Sequence, residues 1–138
     1  MKLTTILYGC DIIRYTIQTF GCKVNQYESA SVAKAMEEHG YEKTDDIFTA
    51  DIIIINSCSV TENSDKKAKQ LINKIKSRDP MKIVVLTGCF PQAFEKEASA
   101  LDECGIIVGT GAKKEIPALI KRYITSGERI IRIVPRER

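Results

Sequence analysis

Four consecutive isoleucines, Ile52–Ile55, stand between Asp51 and the polar pair Asn56-Ser57. A run without a polar face, too short for a helix, reads as a strand buried on both sides. That is the habit of a central strand in a parallel sheet covered by helices. Lys82–Thr87, with Ile83, Val84, Val85 and Leu86 at its centre, repeats the pattern. Arg14–Phe20 and Gly105–Val108 are further strand candidates, and Tyr41–Thr44 reads as a short edge strand.

Between these runs the apolar period changes from two to about 3.6. Asn25 with Glu28 three residues on resembles a capping box and predicts a helix to about His39, with Val32, Ala35, Met36 and His39 on one face and Gly40 as its stop. A second helix runs from a cap at Thr61 or Asn63 to about Ser77, with Ala68, Leu71, Ile72 and Ile75 at helical spacing. Pro91 opens a weaker helix to about Asp102. A last helix spans roughly Lys113–Ser126, turning Ile116, Leu119, Ile120, Tyr123 and Ile124 inward. Strands alternating with helices make right-handed parallel βαβ units. The predicted fold is α/β, three-layered, with a five-stranded mainly parallel sheet in the flavodoxin-like order 2-1-3-4-5. Residues 14–127 form the domain, residues 1–13 read as an N-terminal extension and 128–138 as a linker.

With 138 residues, 43% hydrophobic and 28% charged, the chain can bury a core without covalent staples. No apolar run spans a bilayer, and the first residues, MKLTTILYGCDII, lack a small-residue cleavage site. A cytoplasmic location is therefore expected, where thiols stay reduced. The net charge of +3 is compatible with a polyanionic partner without calling for one.

Composition matters most through the five cysteines. Three predicted strands each run into one thiol: Gly21-Cys22, Ser57-Cys58 and Gly88-Cys89. In the predicted order these strands are consecutive neighbours about 4.8 Å apart, so three thiols gather at one sheet edge, where ligands of such folds bind. Soft thiolates favour zinc, copper(I) or iron–sulfur. Zinc sites commonly draw on local pairs, whereas the gaps here are 36 and 31 residues and CxxC is missing. Three thiolates without a fourth protein ligand fit a 4Fe-4S cluster with one iron open. Buried cysteines also act as small hydrophobes, the plainer reading of Cys10 and Cys104. A cysteine phosphatase would need arginine six positions after its nucleophile, where Glu28, Ser64 and Glu95 stand; a cysteine hydrolase would need a histidine, and the one histidine, His39, ends a helix.

The segments TFGCKVNQYE (19–28), NSCSVTEN (56–63) and TGCFPQ (87–92), followed by Val108-Gly109-Thr110, resemble the N-terminal domain of the radical S-adenosylmethionine methylthiotransferases. GCKVNQYE with CSVTEN is most similar to the branch acting on N6-threonylcarbamoyladenosine in tRNA. The resemblance covers about residues 14–126; Phe90-Pro91 departs from the family's wording after the third cysteine. It implies that Cys22, Cys58 and Cys89 ligate an auxiliary 4Fe-4S cluster. That cluster helps supply the sulfur placed on C2 of the adenosine at position 37, beside the anticodon. The implied partners are tRNA, a sulfur donor to the open iron and a radical S-adenosylmethionine domain in cis, with no membrane. That chemistry needs a CxxxCxxC motif, and no two cysteines here lie closer than 12 residues. S-adenosylmethionine and a second 4Fe-4S cluster are thus expected only in a domain beyond the linker, and this chain alone is expected to be inactive.

Around the thiolates, Gly21 and Gly88 are expected to let backbone approach the cofactor. Asn25, Asn56, Ser57, Thr87 and Gln92 are candidates to hydrogen-bond cluster sulfurs, or else plain caps and turns. Lys66, Lys67, Lys69, Lys74, Lys76 and Arg78 make a basic helix face, a possible tRNA contact although such runs are usually solvated. Gly109-Thr110-Gly111 is an incomplete phosphate loop, more plainly a turn. The rival reading is a flavodoxin-like module holding flavin or another phosphate ligand without a cluster. It would need a Ser/Thr-rich loop where Cys22-Lys23-Val24-Asn25 stands.

Overall fold

The computed structural model describes residues 13–19, 23–57, 62–79, 81–88, 96, 104–109 and 114–133, with side chains among them except at 23–28 and 62–65. In chain order the elements are β1 (Arg14–Thr19), α1 (Lys23–Glu38), β2 (Glu42–Lys43), β3 (Ile52–Ser57), α2 (Glu62–Arg78), β4 (Ile83–Gly88), β5 (Ile106–Val108), α3 (Ile116–Ser126) and β6 (Ile130–Arg132). The strands form one sheet in the order β2-β1-β3-β4-β5-β6, and every pairing is parallel.

The continuous apolar runs lie where two-sided burial demands them. All six residues of β3 and all six of β4 are buried. Side chains alternate between faces with period two. Ile52, Ile54, Ile83, Val85, Ile106 and Val108 pack with Val32 and Met36 of α1 and Ile116, Leu119 and Ile120 of α3. Ile53, Ile55, Val84, Leu86 and Ile107 pack on the other face with Ala68, Ile72 and Ile75 of α2 and with Cys104. Cys104 is therefore a buried member of the core, as expected of it.

Several expectations need correcting. The sheet has a sixth strand: residues 130–132, within the segment read as a linker, pair with β5. Gly127 makes this possible, ending α3 with a left-handed φ of 71° while its N–H donates to Tyr123 O at 2.8 Å. The first helix begins at Lys23, so Asn25 lies inside its first turn and is not its cap. His39 is exposed, its ring Nδ1 2.9 Å from Ala35 O, and does not join Val32 and Met36 inside. The last helix starts at Ile116 after a single tighter turn at 114–115. The candidate strand in residues 1–13, with Cys10, and most of the helix expected after Pro91 lie outside the described residues. Among the described residues no helix is long and apolar enough to cross a membrane.

Candidate metal centre

The carboxyl ends of β1, β3 and β4 lie side by side. Thr19 is registered with Asn56, Asn56 with Thr87, and Thr87 with Val108, giving one transverse row; Ser57 pairs with Gly88 in the row beyond. Thr87 continues the face of Val85, and Asn56 that of Ile54. The row thus caps the apolar layer covered by α1 and α3 with polar groups.

Most of this cap is internally bonded. Asn56 Nδ2 donates to Ser29 Oγ at 2.8 Å, and Ser29 Oγ lies 2.7 Å from Thr19 Oγ1, so one hydroxyl of α1 joins β1 to β3. Ser57 Oγ donates to Thr87 O at 3.1 Å, joining β3 to β4. Thr87 Oγ1 is buried and has no hydrogen-bond partner among the described residues. Such groups are rare because an unmet buried donor costs about 1–3 kcal/mol.

Gly88 has a φ of 109°, and a Cβ there would meet Ser57 O, with Asn56 Oδ1 at 2.6 Å and Ser57 N at 2.8 Å. The close approach that this glycine permits is to β3. Of the sequence-derived candidates, the structure brings together Asn56, Ser57, Thr87 and Gly88. Gly21, Cys22, Cys58, Cys89 and Gln92 lie outside the described residues; Asn25 is described only as backbone in α1. Ser29 and Thr19 were missed as a pair. Both stand in the first motif, but only tertiary packing brings a serine ten residues on back to the strand end.

Tyr15 fixes α1 against β1 by donating its hydroxyl to Ala33 O at 3.2 Å. Burial first, and the Glu37 carboxylate second, push its pKa up to about 12. Burial also raises that of Tyr41.

At the opposite, amino-terminal edge of the sheet stands a different cluster. Buried Lys82 donates from Nζ to Phe48 O at 2.9 Å and Ala50 O at 2.5 Å, with Asp79 Oδ2 at 3.9 Å. Arg78 and Lys74 lie over the Phe48 ring, 4.7 and 5.7 Å from its centroid, and Lys76 Nζ donates to Lys82 O at 2.8 Å. Lys74, Lys76 and Arg78 of the basic face of α2 are thus engaged in this cluster, about 20 Å from the strand ends given ~3.3 Å per strand residue. The N–H of Gly109 donates to Arg132 O at 3.0 Å, so it serves the β5–β6 pairing; Thr110 and Gly111 lie outside the described residues.

Residues 14–109 match the family described as Uncharacterized protein family UPF0004. The chain belongs to this family. Its similarity extends to the threonylcarbamoyladenosine tRNA methylthiotransferase MtaB of Bacillus subtilis, 37% identical over 105 residues, which cover 76% of this chain and 23% of that protein. The protein of the same name from Thermotoga maritima is 44% identical over 100 residues, 72% of this chain and 23% of that one. The tRNA-2-methylthio-N(6)-dimethylallyladenosine synthase of Clostridium novyi is 32% identical over 131 residues, 91% of this chain and 29% of that one. This UPF0004 chain therefore spans about a quarter of the length of the curated relatives it matches, and corresponds to a domain that tRNA methylthiotransferases carry. The family expectation drawn from the three cysteine motifs is met.

Proposed function

We propose that this chain is the auxiliary-cluster domain of a tRNA methylthiotransferase. In this reading Cys22, Cys58 and Cys89 each give a thiolate to a 4Fe-4S cluster with one iron left open. The full-length enzyme converts N6-threonylcarbamoyladenosine at position 37 of tRNA to its 2-methylthio derivative. The observation that carries the reading is the adjacency of β1, β3 and β4, each followed within one to three residues by a cysteine. Cys58 and Cys89 each lie one peptide, about 3.8 Å, beyond the registered pair Ser57 and Gly88, and Cys22 is within about 10 Å of chain from Thr19.

The donor set suits the group: three thiolates without a local pair, at strand ends that carry a buried hydroxyl no described residue meets. When bound, the cluster supplies an iron open to a sulfur ligand and so a source of sulfur for transfer. The chain's own residues do the holding. α1 opens at Lys23, directly after Cys22, and the positive end of a helix favours a thiolate beside it. Asn56, through Ser29, and Ser57, through the Thr87 carbonyl, fix the strand end that leads to Cys58. Gly88 lets β4 close on β3, and Gly21, Asn25 and Gln92 complete the surround. The radical S-adenosylmethionine domain, its own 4Fe-4S cluster and S-adenosylmethionine belong to the rest of the protein. So do the contacts to tRNA, while a sulfur donor would be taken up at the open iron; the setting is the cytoplasm.

The threonylcarbamoyladenosine branch is supported by the words GCKVNQYE and CSVTEN and by the Bacillus and Thermotoga relatives, whose names carry that substrate. The test is mass spectrometry of tRNA nucleosides from a strain lacking the gene. Loss of 2-methylthio-N6-threonylcarbamoyladenosine, with its unthiolated precursor accumulating, is expected. Loss of the 2-methylthio group from isopentenyladenosine instead, or an unchanged nucleoside profile, contradicts the assignment.

A further inference from the structure

We infer that the Thr87 hydroxyl is a positioning donor reserved for the group bound at this sheet edge: it donates a hydrogen bond to a cluster sulfide or a ligating thiolate and tunes how readily the cluster is reduced. The inference rests on the cluster reading above and adds a residue role to it.

Thr87 is fully buried in the transverse row between Asn56 and Val108. A valine there would have the same shape and β-branching and would continue the apolar face set by Val85 and Val108. It would leave nothing unsatisfied. Threonine instead buries a hydroxyl that no described residue meets, although its own carbonyl accepts a hydrogen bond from Ser57 Oγ at 3.1 Å. Asn56 Nδ2 and Thr19 Oγ1, by contrast with this hydroxyl, both meet Ser29 Oγ. The backbone of Thr87 is therefore fastened while its side chain stays available, two residues before Cys89. A buried donor that none of the described residues meets calls for an acceptor from outside them. Hydrogen bonds to cluster sulfurs stabilise the electron-rich, reduced form and raise its potential.

The experiment compares the 138-residue chain with Thr87→Val and Thr87→Ser, each reconstituted anaerobically with iron and sulfide. Iron content, the midpoint potential and the melting temperature of the cluster-free protein are measured. Thr87→Val should bind as much iron as the unaltered chain, shift the potential to more negative values, and raise the cluster-free melting temperature by ~2–6 °C by removing an unmet donor. Thr87→Ser, which keeps the hydroxyl, should stay near the original potential. An unchanged potential in iron-replete Thr87→Val overturns the inference, and so does an equal shift in Thr87→Ser. If the unaltered chain takes up no iron, the cluster reading itself fails, and this role fails with it; iron uptake separates that outcome from the other two.

Discussion

Gly88 faces Ser57 so closely that no side chain fits between them: a Cβ on Gly88 would run into Ser57 O and lie 2.8 Å from Ser57 N. With φ at 109°, the position is also one that L side chains rarely adopt. Gly88→Ala is expected to cost about 2–4 kcal/mol, from strain and from parting β3 and β4. Urea unfolding measures it. The parting would also reach the residues that lead into Cys58 and Cys89, so iron uptake should fall along with stability.

Ser29 is a hydroxyl through which α1 meets two strand ends. Ser29→Ala removes its contacts to both Thr19 and Asn56. A loss of about 1–3 kcal/mol is expected. Asn56→Ala loses the same hydrogen bond. The double variant should therefore be less damaging than the sum of the singles, with a coupling of about 1 kcal/mol in a double-mutant cycle.

Lys82 is a buried ammonium whose work is to hold two carbonyls, Phe48 O and Ala50 O, at the start of β3. Lys82→Met keeps the stem and leaves those carbonyls short of a charged donor, at a cost of about 2–3 kcal/mol in denaturant unfolding. The edge it secures is remote from the strand ends, so iron uptake by the folded fraction should not change.

Tyr15 predicts an alkaline limit. Its folded-state pKa of about 12 stands above the ordinary 10.0, because burial and the Glu37 charge disfavour the phenolate. A raised pKa means that folding favours the protonated form. The stabilisation is complete below about pH 10 and is lost as pH rises from there through about 12. Stability measured across that window should decline, and Tyr15→Phe should flatten the decline.

How much of this was legible depended on where each signal was written. β3 and β4 are buried on both faces, so their sequences are unbroken apolar runs that only one fold class explains. β6 gave little sign because it packs one edge, with Ile130 half-buried and Ile131 exposed, and so lacks the two-sided pattern. The start of α1 was misjudged because Asn25 and Glu28 carry a capping pattern that the chain does not use; the helix begins two residues earlier. The helical period also put His39 with Val32 and Met36, but α1 ends at Glu38 and the ring turns outward. In the site, strand ends and motif residues could be read from spacing. The Ser29 bridge and the unmet Thr87 hydroxyl could not, since each depends on which groups meet in three dimensions.

The most direct measurement is iron uptake by the anaerobically reconstituted chain, alone and with Cys22, Cys58 or Cys89 changed to alanine. The account predicts a brown protein with about four irons per chain and absorption near roughly 400 nm, lost in each variant and kept when Cys10 or Cys104 is replaced. A colourless protein without iron, or colour that survives all three substitutions, would contradict it.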